Sequence, residues 1–67
     1  MPMTSRSLRM LRKRLGLSVA KASAQVHVAP RTWVNWENGT TPVPDTAAHL
    51  FCLVNGIAWK AVKAHSS

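Results

Sequence analysis

Val28-Ala29-Pro30-Arg31-Thr32-Trp33-Val34-Asn35-Trp36-Glu37-Asn38-Gly39 reads as a short helix with a marked start and a marked stop. Pro30 fits the first helical position, where its fixed φ is already helical and its missing N–H costs nothing. Gly39 accepts the left-handed backbone that closes a helix, and Pro42 and Pro44 keep it from resuming. Trp33 and Trp36 lie three residues apart and share a face with Val28 just upstream. Arg31, Thr32, Asn35 and Asn38 fall on the other side. One face suits a core. The other carries donors and acceptors with a single acidic residue nearby, which is what a helix needs to read base edges in a major groove.

Upstream, Leu15-Gly16-Leu17-Ser18 followed by Ala20, Ala22, Ser23 and Val26 has the spacing of an earlier short helix and a tight turn. Ser18 caps that second helix, which extends to about Gln25. Ala22, Ser23 and Ala24 are small where two helices must cross closely, and His27 stands in the turn, where it tolerates a left-handed φ better than most residues. Together these segments resemble the phage-repressor-like, XRE-type helix-turn-helix family of Cro and lambda-type repressors. The residues that carry the resemblance are Leu15-Gly-Leu-Ser18 opening helix 2, Ala22 and Ser23 within it, and Trp36-Glu-Asn-Gly39 closing helix 3. More narrowly, Pro30-Arg-Thr-Trp-Val-Asn-Trp-Glu-Asn-Gly-Thr-Thr-Pro-Val-Pro-Asp45 looks like the anti-CRISPR-associated (Aca) repressors, small autoregulators of phage anti-CRISPR operons.

The resemblance implies that helix 2 lies across the DNA backbone and that helix 3 enters the major groove by its N-terminal part. Carried onto this chain, it makes Arg31 and Asn35 the base readers. Arg pairs well with the O6 and N7 edge of guanine, and Asn with the N6 and N7 edge of adenine. Thr32 is a base or phosphate contact, and Pro30, where relatives often carry a polar reader, offers only an apolar contact. Ser18 and Lys21 are the phosphate contacts of helix 2. Val19 departs from the family, which often has a backbone-touching residue there, and His27 departs where the family usually has Gly. Asn38, Thr40 and Thr41 add donors suited to phosphate oxygens.

Around this motif, Thr4 or Ser5 caps a first helix to about Leu15, with Gly16 as its stop and Met1 to Thr4 frayed. Leu8, Leu11 and Leu15 form its apolar stripe, with Met10 at the margin. Arg6, Arg9, Arg12, Lys13 and Arg14 occupy the rest, a mutually repelling cluster that a polyanion would relieve; Arg14 is counted among the phosphate contacts. An amphipathic membrane helix is disfavoured, because the same leucines are needed for the core. Glu37 sits late in helix 3, where the dipole disfavours a carboxylate, so a structural partner from the arginines of helix 1 is expected. Asp45 opens helix 4, which turns Ala47, Ala48, Leu50, Phe51 and Val54 inward and ends at Asn55-Gly56. A last helix is expected from about Ile57 to Ala64, with Trp59 partly off its apolar stripe, and Trp59 with Phe51 or Val62 is the expected two-fold dimer interface. The fold expected is an all-α, compact five-helix bundle in one domain spanning 1–67. Its helix-turn-helix covers about 18–39, and helices 4–5, at about 44–65, serve core and dimerisation.

Composition narrows the function. A chain of 67 residues makes one small core and buries only about 60% of its unfolded surface, so it gains from dimerising. Nine Lys and Arg against Glu37 and Asp45 give +7, a field that attracts polyanions. Cys52 is the single cysteine, which excludes an internal disulfide and fits a reducing cytoplasm. No apolar run is long enough to span a membrane, and Arg9, Arg12, Lys13 and Arg14 interrupt the N-terminal segment too often for a signal peptide.

Two carboxylates far apart in sequence leave little for acid–base catalysis. His49 and Cys52 share a helix face, but His27 and His65 are the only other histidines, and a structural zinc site wants four ligands. No enzyme, metal or cofactor is expected. The sequence therefore points to a homodimeric, cytoplasmic repressor of an inverted-repeat duplex, with half-sites about 34–36 Å apart. An RNA-binding translational regulator, which the Aca resemblance allows, and an antitoxin-like protein-interaction module are the alternatives.

Overall fold

The computed structural model describes residues 3–57, and these form an all-α unit of four helices. They are α1 (Ser5–Arg14), α2 (Val19–Gln25), α3 (Pro30–Asn38) and α4 (Asp45–Val54). α1 and α2 begin with side-chain caps: the Thr4 and Ser18 hydroxyl oxygens accept from the Ser7 and Lys21 backbone N–H groups at 3.1 Å each. α3 and α4 use proline instead, Pro30 at the first helical position and Pro44 just before Asp45.

All four helices stop in the same way. After the last turn, one residue takes a left-handed φ and two backbone N–H groups fold back onto carbonyls that would otherwise be orphaned. At the end of α2 these are His27 N–H to the Ala24 carbonyl (3.2 Å) and Val28 N–H to the Ser23 carbonyl (3.0 Å). The left-handed residue is glycine at the other three stops and His27, at φ 60°, at this one.

The core forms where α3 meets the rest. Trp33 is fully enclosed, 5.8 Å from the Trp36 ring and edge-on to Phe51 at 5.1 Å. Leu8, Ala22, Val26, Ala48 and Cys52 complete it, with Leu11, Leu15, Leu17 and Ile57 packed against its rim. At the far ends of α2 and α4, the Asn55 side-chain amide donates to the Gln25 side-chain oxygen and to the Phe51 carbonyl, both at 2.8 Å. Met3 and Val43 are also buried, so the entry to α1 and the Pro42-Val43-Pro44 loop both contribute to the core.

Three expectations are corrected. The described residues hold four helices, not five: Gly56 at φ 71° stops α4, and the Ile57 N–H closes that stop on the Cys52 carbonyl at 2.8 Å. Ile57 therefore belongs to the termination of α4 rather than to the first turn of another helix, and positions 58–64 of the expected fifth helix lie outside the described residues. Of the 1–4 stretch expected to fray, Met3 is instead packed in the core, Thr4 is the cap of α1 as the sequence allowed, and residues 1–2 lie outside the described residues. Finally, α4 buries Ala48, Phe51 and Cys52, spaced i, i+3, i+4, and leaves Leu50 and Val54 exposed beside Leu53.

Candidate nucleic-acid interface

α3 is held by its inner face. Trp33, Trp36 and Glu37 point inward and are buried, an unusual place for a carboxylate. Glu37 is fully engaged there. Arg12 of α1 donates through Nε to Oε2 at 2.6 Å and through Nη2 to Oε1 at 3.1 Å, a two-pronged clamp. The Trp33 indole N–H donates to the same Oε2 at 2.5 Å, one helical turn back. Arg12 also donates to the Leu17 carbonyl at 3.0 Å, tying the α1–α2 turn into the network.

Burial alone would push the Glu37 carboxyl up. Hydrogen bonds from Arg12 and Trp33, then the charges of Arg12 and Arg9, outweigh it and hold the group below the usual carboxylate range. Arg12 is correspondingly raised, chiefly by its hydrogen bond to Glu37 against its own partial burial. The anticipated structural partner of Glu37 is thus Arg12. The part of Trp33 was missed, although a Trp and a Glu four residues apart on one helix were visible in the sequence.

The outer face of α3 carries the polar residues. Arg31 and Asn38 are exposed, and Asn35, one turn after Arg31, is half-buried between them. Thr32 is half-buried toward the core side, so it stands at the edge of this face, and Pro30 is exposed at the helix start. At α2, Ser18 and Lys21 are exposed, with the Ser18 oxygen also serving as the helix cap. Arg14 is exposed at the end of α1.

Thr40 and Thr41 are exposed as well, but both backbone N–H groups turn back onto the Asn35 carbonyl, at 2.9 and 3.4 Å, so they are already engaged within the domain. Phe51 is wholly enclosed against Trp33 and has no surface to offer a second copy. Trp59 and Val62 lie outside the described residues.

The charge balance favours an anionic partner. Of the chain's two acidic residues, Glu37 is neutralised internally, which among the described residues leaves exposed Asp45 against exposed Arg6, Arg9, Lys13, Arg14, Lys21 and Arg31. Among the described residues no group of three or more His, Cys, Asp or Glu could hold a metal, and no helix is long and apolar enough to cross a membrane.

A capped short helix, a four-residue turn and a second helix with a polar outer face follow one another here, and a family model described as a helix-turn-helix domain matches residues 5–54. The chain belongs to the helix-turn-helix domain family. No curated protein and no solved structure matches the chain significantly. Membership makes this a DNA-binding domain of a family that is typically non-enzymatic. In helix-turn-helix domains generally, the second helix of the motif reads the groove and the first crosses the backbone; α3 and α2 hold those two positions in the motif here.

Proposed function

We propose that this helix-turn-helix protein is a sequence-specific transcriptional repressor that acts in the bacterial cytoplasm as a homodimer on an inverted-repeat duplex. The observation that carries this reading is the two-sidedness of α3. Its inner face is locked by Trp33, Trp36 and the Glu37–Arg12 clamp, while Arg31, Asn35 and Asn38 stand outward on a rigid base. Arg31 reads guanine, Asn35 reads adenine, and Pro30 and Thr32 add contacts at the entry of the helix. Ser18, Lys21, Asn38, Thr40, Thr41 and Arg14 set the register on phosphates.

Exposed Leu50, Leu53 and Val54 support the homodimer. In sequence the chain continues from that end of α4 to Trp59 and Val62, the apolar residues assigned to the dimer contact in this reading. The likeness of residues 30–45 to the Aca repressors supports autoregulation of an anti-CRISPR operon as the biological role.

The test is fluorescence anisotropy on the duplex upstream of the protein's own gene, with a scrambled duplex as competitor at roughly 0.15 M salt. The expected result is a preference of about a thousandfold or more for the native duplex. Equal, salt-sensitive binding to both would overturn the repressor reading. Displacement by the operon's leader RNA would transfer the function to RNA, and a stable heterocomplex with weak DNA binding would transfer it to a protein partner.

A further inference from the structure

Arg9 and Arg12 stand three residues apart on α1 and both lean toward Glu37, but unequally. Arg12 saturates the carboxylate, and its side chain is 14% exposed. Arg9 comes no closer to Glu37 than 3.6 Å, places Nη2 3.5 Å from the Asn38 side-chain oxygen, and remains 48% exposed. A guanidinium has five N–H donors. At these distances the two contacts aim the group without satisfying it. Because Arg12 already matches the charge of Glu37, Arg9 holds an unspent positive charge over the last turn of α3.

Its position on α3 gives that charge a use. Successive residues turn by about 100°, so Asn38 shares the outward face with Arg31 and Asn35 while Glu37 faces the core. A side chain that touches both Glu37 and Asn38 marks the edge where the core side meets the reading face, on the flank covered by α1. The other flank faces the α2–α3 turn and the start of α4, where Trp36 shares an apolar groove with Val26, Val28, Ala47 and Leu50. A helix about 10–12 Å across fills a major groove about 12 Å wide and meets a phosphate wall on each side. Ser18 and Lys21 come from α2. Arg9 comes from α1.

We propose that Arg9 is a phosphate-binding residue of this domain, aimed by Glu37 and Asn38 at the sugar-phosphate wall on the α1 flank of the reading helix. The proposal rests on the DNA-binding reading above and adds to it, beside Arg14, a second phosphate contact from α1, one aimed by residues of α3. It also links the buried clamp to the DNA surface, since the carboxylate that holds α1 against α3 helps to aim the phosphate contact.

The experiment is the salt dependence of affinity for the native and scrambled duplexes, measured for the wild type, Arg9→Ala and Arg9→Lys, with a thermal melt of each. Removing one phosphate contact should lower the slope of log K against log salt by about 0.9 on both duplexes. At 0.15 M salt that corresponds to about a fivefold loss, equal for the two sequences. Arg9→Lys, which keeps a cation on a long stem, should keep the slope. A lowered melting temperature with the slope unchanged would make Arg9 a purely structural partner of Glu37 and overturn the proposal, as would a loss confined to the native duplex. If the wild type itself bound neither duplex, the DNA-binding reading would have failed first, and the role of Arg9 would fall with it.

Discussion

α3 and α4 are nearly equal in length, yet they solve opposite problems. α3 mixes Trp33 and Trp36 with Arg31, Asn35 and Asn38, so its two faces differ sharply and only one orientation is affordable. α4 has a weaker contrast, with Asp45, Thr46 and His49 confined to one sector: Leu50, Leu53 and Val54 on the outside match Ala48, Phe51 and Cys52 on the inside. A helix with polar and apolar faces is oriented by hydration alone, whereas one with less contrast is oriented by the shape of the site it must fill. The site beside Trp33 admits Phe51 edge-on and small Ala48 and Cys52. The apolar residues left over face outward, where a second surface can use them.

The contrast can be broken most severely at the centre of α3. Trp33→Ala removes a fully buried indole, opens a cavity and strips Glu37 of one donor, so it should cost about 3–5 kcal/mol. Urea denaturation followed by circular dichroism should find little folded protein; a near wild-type midpoint would mean that α3 is not anchored there.

Glu37→Gln, which keeps the shape but loses the charge facing Arg12, should cost about 2 kcal/mol. Acid adds a sign to this prediction. Because folding depresses the Glu37 pKa, the group contributes stability above its unfolded value and loses it as pH falls through the folded one. The wild type should therefore lose melting temperature on acidification below the ordinary carboxylate range, and the variant should lose less. Parallel curves for the two proteins would remove Glu37 from the acid response.

On the opposite face of α3 the effect should move from stability to recognition. Arg31→Ala should weaken operator binding by about 1–3 kcal/mol and relax one position of the site, with the unfolding midpoint unchanged. A footprint with the same sequence preference would exclude Arg31 as a reader.

The outer face of α4 should be the quietest for the fold. Leu53, 62% exposed, should tolerate Leu53→Lys within about 0.5 kcal/mol while weakening self-association in sedimentation. A large loss of monomer stability would show that this face is already covered by the chain's own remaining residues.

Most of the framework was legible because it is written in local chemistry. Ser18, Pro30, Gly16, Gly39 and Gly56 mark starts and stops through the backbone conformations they favour, and the helix ends follow them. His27 was legible for the same reason, as a residue that tolerates the left-handed turn without being glycine. The inward face of α4 was legible at Ala48 and Phe51 but not at Leu50 and Val54, which are as apolar as the residues that line the core. Nor was Met3, whose burial depends on where the α1 entry meets the packed helices rather than on any period in the sequence. At the interface, the polar face of α3 could be read directly. The aim of Arg9 could not, because it depends on a contact across 29 positions of chain.

Cys52 gives the core its own chemical clock. Its thiol is fully buried, and burial pushes its pKa up, so the reactive thiolate is scarce while α4 stays seated. A thiol reagent can reach the sulfur only when α4, with Phe51, lifts off Trp33. The alkylation rate therefore counts openings of the whole core and ignores fraying at its ends. Bound DNA should slow that clock by holding the domain shut, which turns one buried sulfur into a report on occupancy of a surface it never touches.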